Sequence, residues 1–561
     1  MWKVIVDHFP GWDVVLQAVM LLILPIIFNY LFQWAHTNLR RRNSLKDSGN
    51  AGDKSNAAEN SSPHEQGQAD GQQVMESYED NLAWLKERAT KHCDIHIREF
   101  MVGGENRAAL LYVDGLYDKT LVDTQVLESL MNKGGEEGHP DDDIPVTKEN
   151  LLNLILPISQ VSDTHQLHQV VEDILTGTVA LLVEGVEEVL MLSGSAGNSR
   201  AIEEPVSEGL LRGPRTGFTE TLSENTALLR RHGRNESLRM TKFKVGSRVK
   251  KDLIVAYVED IASSELVDEV IHRIEAIDLD YVAESGYVEQ LIEDNSFSLF
   301  QQVQSTERPD RVIGALMEGR VALLLDGTPF VLIVPVTFSM LLQSPEDYYE
   351  RWIPATLLRL LRFFTAFLAI FTPAIYISFI SYNQGLIPTE LVVTIIESRQ
   401  SVPFPSIIEA MIMEISIEIL REAGIRLPKP IGPAMGIVGG LIIGDAAVNA
   451  GIISPFLVIV VAVTAISSFA IPSYSAGITL RILRFLAMFC AAFLGLYGTV
   501  LFFILVCSHL ARLKSFGVPY VSPMSPFRWN DWKDFIVRMP LKVMNRRPIM
   551  MKTKDSSRRD K

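Results

Sequence analysis

Residues 397–451 read ESRQSVPFPSIIEAMIMEISIEILREAGIRLPKPIGPAMGIVGGLIIGDAAVNAG, a stretch that sets a carboxylate-bearing helix against an apolar run interrupted by glycine. Irregular backbone and charge within apolar sequence are tolerated where protein or a water-filled cavity shields them from lipid. From Ser406 to Ala423, Glu414, Glu418 and Glu422 recur at i, i+4 and i+8, with Glu409 offset. Isoleucine and methionine fill much of the remainder, so one face of the helix is acidic. Two roles fit that face. Several subunits could present it to a water-filled path, where a ring of carboxylates favours cations, or it could be an interfacial helix whose glutamates sit in water or pair with Arg421 and Arg426. Pro403 and Pro405 break the chain ahead of it, so 386–427 is expected to be a short or re-entrant helix followed by an amphipathic one.

Asp445 lies in GGLIIGDAAVNAG with small or apolar neighbours on both sides. Burying it unpaired would cost several kcal/mol, which makes it either a functional group or the cap of a following helix. Gly436, Gly439, Gly440 and Gly444 place small residues along one stripe, which permits close helix packing.

Outward from this stretch, apolar runs at 357–380, 431–449, 452–471 and 482–506 are each about long enough to cross a bilayer, for which roughly 20 residues are needed. Arg359 with Arg362, and Arg481 with Arg484, stand at i, i+3 near the edges of such runs. They read as membrane-edge anchors that snorkel to the surface, with pairing to the glutamates as the alternative. A further apolar run, 12–34, is followed by Arg40, Arg41 and Arg42 and reads as a transmembrane helix with its basic end in the cytoplasm. The polar stretch behind it has almost nothing to bury and is expected to be a disordered linker.

Between linker and membrane runs, GTVALLVEG (177–185) recurs as GRVALLLDG (319–327), with six of nine positions identical. Each copy reads as strand, turn and returning strand. The spacing of about 140 residues implies two related α/β subdomains and no solenoid. The expected fold class is therefore an α/β soluble domain of two related subdomains joined to an α-helical integral membrane domain. Its parts are 1–42, an N-terminal transmembrane helix; 43–77, the linker; 78–200, the first subdomain; 201–244, a connecting segment; 245–350, the second subdomain; 351–511, the multi-span membrane domain; and 512–561, a basic cytoplasmic tail.

Charge follows the same division. Residues 507–561 carry 13 Lys+Arg against 4 Asp+Glu, a net +9, so within a whole-chain charge of −15 the remainder holds −24. An acidic body argues against nucleic acid as a partner. Three widely spaced cysteines offer neither a disulfide framework nor a thiolate metal site. His92, Cys93 and His96 lack a further nearby ligand, and 213–231 lacks the Walker spacing. No hydrolase triad, zinc-protease motif or dinucleotide fingerprint is present, so no metal, cofactor or enzymatic activity is expected.

Together GPRTGFTETLSENTALLRR (213–231), STERPDRVIGALMEGRVALLLDGTPFVLIVP (305–335), PEDYYERW (345–352), ESRQSVPFPSIIEAMIMEISIEILREAGIRLP (397–428), IGPAMGIVGGLIIGDAAVNAGIISP (431–455) and KSFGVPYVSPMSP (514–526) resemble the A-subunit family of bacterial spore germinant receptors, the GerA family, of which stage V sporulation protein AF is a relative. The resemblance covers roughly 90–530. It implies a multi-pass protein of the spore inner membrane whose soluble domain and tail are cytoplasmic. It also implies a ring-shaped homo-oligomer working with a transporter-like B subunit and a lipoprotein C subunit, and cation release on nutrient binding, or a non-conducting accessory role as for the AF relative. No catalytic residue comes with it. The N-terminal apolar run and linker depart from the family's usual beginning.

Overall fold

Two five-stranded antiparallel sheets of identical strand order precede a bundle of helices in the computed structural model, which describes residues 73–102, 106–131, 147–151, 161–192, 204–205, 207–233, 235–426 and 444–558. The N-terminal apolar run, nearly all of the linker, most of the apolar run 431–449, and Gly436, Gly439 and Gly440 lie outside the described residues.

The first sheet contains β1 (Ile95–Val102), β2 (Asn106–Val113), β3 (Val161–Thr164), β4 (Val179–Val183) and β5 (Val189–Leu192) in the order β1-β2-β4-β5-β3. The second contains β6 (Leu238–Val245), β7 (Lys251–Val258), β8 (Gln304–Thr306), β9 (Val321–Leu325) and β10 (Val331–Val334) in the order β6-β7-β9-β10-β8. The quoted repeat supplies the central strands β4 and β9, and its glycines explain its ends. Gly177, Gly185, Gly319 and Gly327 all have φ between 83° and 103°, a left-handed backbone that glycine adopts without steric penalty. Between them VALLV and VALLL are buried along their whole length. A strand covered on both faces reads as a continuous apolar run rather than an alternation. In the second sheet Val321, Leu323 and Leu325 pack with helix Ser264–Glu275, while Ala322 and Leu324 turn to helices Leu222–His232 and Pro309–Leu316.

The segment between the sheets is ordered by the helix Leu222–His232. It faces both cores: Ala227 joins the first, Leu228 and Leu229 the second. Arg230, fully buried, makes a bidentate pair with Asp94 (2.8 and 3.0 Å) and also donates to the Leu238 carbonyl at 2.9 Å. His92 stands between two guanidinium groups, its Nδ1 3.0 Å from Arg230 Nη2 and its Nε2 3.0 Å from Arg239 Nη1. Burial together with Arg230 pushes its pKa down to about 4.

The bundle is built from α1 (Trp352–Ser381), α2 (Thr389–Arg399), α3 (Ser406–Arg426), a short helix at 444–449, α4 (Pro455–Phe469) and α5 (Tyr474–Arg512). Only α1 and α5 are long and apolar enough to cross a membrane by length and composition among the described residues. The apolar run 482–506, expected as one span, is cut. Gly495 has φ 59° and ψ −142°, outside any helix, and α5 doubles back there into two arms, 474–494 and 496–512. The reversal is fixed by contacts at its ends. Thr479 donates to the Leu299 carbonyl at 2.6 Å while His509 lies 3.0 Å from the hydroxyl of the adjacent Ser298; a straight helix would set Thr479 and His509 about 45 Å apart at 1.5 Å per residue. At the other end Tyr382 donates to the Ala492 carbonyl, and Asn383 accepts from the Leu496 amide at 3.3 Å.

The basic tail folds back onto the second sheet rather than trailing away. Ser515 Oγ donates to the Gln302 carbonyl at 2.6 Å, Tyr520 OH to the Gln301 carbonyl at 2.6 Å, and Arg547 Nε to the Met317 carbonyl at 2.9 Å.

Candidate functional site

The α3 helix begins at Ser406 because Pro405 cannot continue a helix behind it, while its carbonyl accepts from Ile408 and Glu409 (3.0 and 3.2 Å). Pro403 sits in the turn that separates α2 from α3. From there α3 turns its acidic side toward the bundle, while Ile408, Ile412, Ile415 and Ile419 on the other side stay exposed. Ser406 bonds Ser381 at the end of α1 (2.6 Å), Glu414 and Glu418 meet the first arm of α5, and Arg421 donates to Ser468 at the end of α4 (2.7 Å). The acidic side of α3 finds positive partners within the protomer, Arg421 of the same helix among them.

Each glutamate has its own surroundings. Glu409 is fully buried; Arg399 Nη2 donates to one carboxylate oxygen at 2.6 Å and the Ser454 amide to the other at 3.1 Å. Glu414 is also fully buried and pairs with Arg484 Nη1 at 3.1 Å, although neither of its oxygens makes a hydrogen bond of proper geometry. Glu418, one quarter exposed, is held by Arg481 (2.9 Å) and Arg484 (2.8 Å), with Arg421 at 3.8 Å. Glu422 is exposed, as is Asp445, which lies on the 444–449 helix. Asp445 is therefore not the buried ionisable group its apolar neighbours imply. Gly444 is buried, and a Cβ there would stand 3.6 Å from Val458 of α4, in keeping with close packing.

The four arginines read as membrane-edge anchors do not reach for a surface. Arg484 is fully buried and Arg481 largely so, and both are spent on Glu414 and Glu418. Arg359 is buried at the start of α1, where its Nε meets Asp347 (2.9 Å) and its Nη1 meets Asp534 (2.8 Å); Arg362 takes Asp347 as well, at 2.8 Å. Tyr348 OH donates to Asp534 at 2.9 Å, and its ring lies under the Arg359 guanidinium at 5.1 Å. Burial pushes the Asp534 carboxyl above its ordinary range, with Arg359 opposing the shift. Snorkelling loses here because a carboxylate lies within reach of each guanidinium, and a paired charge has no need of water.

Asp347, Asp534, Arg399 and Ser454 belong to these clusters and carry no sequence signal of it. Asp534 is 175 residues from Arg359, and no local pattern relates them. PEDYYERW contains Asp347 beside a helix start, which is the nearest thing to a cue.

The geometry thus defines a helical protein with charge clusters buried in its bundle and a two-sheet domain tied to the bundle through its tail. The sequence pattern of the Bacillus/Clostridium GerA spore germination protein family matches residues 83–550. The chain is 42% identical over 469 residues to spore germination protein GerLA of Bacillus cereus, covering 83% of this chain and 94% of that one. It is 43% identical over 469 residues to the uncharacterized membrane protein YfkQ of Bacillus subtilis strain 168, with 84% and 90% coverage, and 40% identical over 492 residues to spore germination protein KA of the same organism, with 87% and 89%. The solved N-terminal domain of the A subunit of the Bacillus megaterium spore germinant receptor GerK3 covers 47% of this chain and 97% of its own at 30% identity, with a TM-score of 0.35. The chain belongs to the GerA family of spore germination proteins.

Proposed function

We propose that this chain is a multi-pass membrane subunit of a germinant receptor, of the A type, in which residues 351–511 cross the spore inner membrane and gate the release of cations when nutrient binds. The soluble sheets, divided near 78–200, 201–244 and 245–350, and the tail 512–561 face the cytoplasm. Copies of the chain assemble as a ring and work with a transporter-like B subunit and a lipoprotein C subunit.

The observation that carries this reading is the charge cluster linking α3 to the first arm of α5. Two carboxylates and three guanidinium groups inside an apolar bundle are expensive to desolvate, and such groups within membrane helices mark ion pathways or switching elements. With Glu414 and Glu418 matched by arginines of the same protomer, the gate is closed in this conformation; a shift between α3 and α5 would free the carboxylates toward a path. Ion flux from spores carrying Glu418→Gln and Arg481→Gln tests it: altered conductance or cation selectivity is expected, and unchanged values in both would remove the cluster from the gate.

The internal pairing also favours a second reading, a non-conducting scaffold that assists another channel in releasing ions or dipicolinate. In that case spores lacking the protein would still release ions at the normal rate on nutrient.

A further inference from the structure

The turn at 293–302 holds two large apolar side chains away from the protein. Phe297 is 98% exposed and Leu299 42%, and the turn that carries them is tightly bonded. Asn295 Oδ1 accepts from the Phe297 amide (3.1 Å), the Asn295 carbonyl accepts from the Ser298 amide (3.1 Å) and from Gln302 Nε2 (2.8 Å), and Gln302 Oε1 accepts from the Asn295 amide (3.0 Å). Behind the tip, Phe300 is buried against Phe338, His509 and Tyr520. The apolar tip is therefore fixed in an outward position, a poor arrangement in water.

Its place in the fold says what covers it. Ser298 is bonded to His509 and Leu299 to Thr479, so the tip stands beside the beginning of one arm of α5 and the end of the other. Arg512, the last residue of the second arm, and Lys514, just beyond it, are both exposed. Aromatic side chains beside basic residues at the ends of apolar helices are the composition of a membrane–water interface.

We propose that Phe297 and Leu299 insert into the interfacial layer of the cytoplasmic leaflet and hold the second sheet against the membrane, with Arg512 and Lys514 directed at anionic lipid headgroups. The occupant is the bilayer, and the inference rests on the membrane reading given above.

The test uses the full chain in nanodiscs of phosphatidylcholine and phosphatidylglycerol, in a background with Cys93, Cys490 and Cys507 changed to Ala. Phe297→Cys carries an environment-sensitive fluorophore, and Leu505→Cys, 63% exposed on the second arm of α5, is the control. The expected result is loss of the Phe297→Cys signal to lipids bearing a nitroxide near the headgroup, with protection from aqueous iodide. If iodide quenches Phe297→Cys while lipid nitroxide quenches Leu505→Cys, the tip faces water and the proposal falls, with the membrane reading intact. Protection of Phe297→Cys from both quenchers would place it against a protein surface, whether a second copy or a partner, and also overturns the proposal. If lipid nitroxide reaches neither site, the membrane reading itself fails.

Discussion

Replacing Arg484 by methionine measures what the buried charges contribute. In the wild-type chain Arg484 is fully buried and serves two carboxylates, Glu414 at 3.1 Å and Glu418 at 2.8 Å. Glu418 would keep Arg481 at 2.9 Å and is one quarter exposed, so it loses little. Glu414 has no exposed surface and no hydrogen bond of its own, and it would be left as an uncompensated charge. Removing one partner of a buried pair costs about 3–5 kcal/mol. Methionine is unbranched and fills irregular space, which keeps the packing contribution small. Arg481→Gln leaves Glu418 its contact with Arg484 at 2.8 Å and should cost less than Arg484→Met. Adding Glu414→Gln to Arg484→Met removes the stranded charge and should recover most of the loss. Retention of the folded peak after graded heating or denaturant, followed by size exclusion of the detergent-solubilised chain, ranks the four proteins. The reasoning is refuted if Arg484→Met lies within about 0.5 kcal/mol of wild type, the range of inconsequential surface changes, or if the double variant is no more stable than the single.

Other groups give independent tests. His92 is held neutral in the fold, with its pKa depressed to about 4 from an ordinary value near 6.5, so the unfolded chain binds the extra proton first as pH falls. Its contribution is fully present above pH 6.5 and is lost between there and pH 4, up to about 3 kcal/mol; melting at pH 7.5 and 5.0 should show a drop that His92→Gln makes shallower. Asp534→Asn weakens the pairing of the tail with Arg359, and faster tryptic cleavage at Lys533 is expected, with an unchanged rate counting against the tail as a fixed strap. Gly495→Ala forces a side chain into a glycine-only backbone region at a cost of about 1–3 kcal/mol and sets its Cβ 2.9 Å from that of Tyr382. Its yield of folded protein should fall, and a wild-type yield would mean that the reversal of α5 does not depend on this residue.

Local regularities made the two-sheet architecture legible. GTVALLVEG and GRVALLLDG could be matched because a twice-buried strand between two left-handed glycines constrains almost every position in it. The acidic face of α3 was readable for a similar reason, since periodicity along one helix is a property of that helix alone. What faces it is not. Nothing near Glu414 in sequence points to Arg484, 70 residues on, and the edge position of Arg481 and Arg484 in an apolar run fits snorkelling as well as pairing. The doubling back of α5 was hidden for the opposite reason. Gly495 sits in CAAFLGLYGTV, where two glycines among apolar residues read as helix packing, and only the contacts of Tyr382 and Asn383 with the reversal reveal a turn.

Among the described residues, Phe300, Val336, Leu341 and Leu342 pack into the apolar core of the bundle, and polar links at three points add to that contact. Asp347 and Asp534 grip Arg359 at the start of α1, Leu299 takes the hydroxyl of Thr479, and Ser298 meets His509. Thr479 is two residues from Arg481 and five from Arg484, so the contact with the soluble domain and the ion pairs to Glu414 and Glu418 lie within about a turn and a half of one rigid helix. A displacement of the turn at 293–302 along that arm must then either carry α3 with it or separate the guanidinium groups from the carboxylates. Packed helices favour discrete arrangements over continuous deformation, and a buried cluster in which pairs are either made or broken supplies the two states. On the function proposed above, the sheets need not touch the bundle's interior to set its charge state; they need only hold, or release, one end of the arm that carries Arg481 and Arg484.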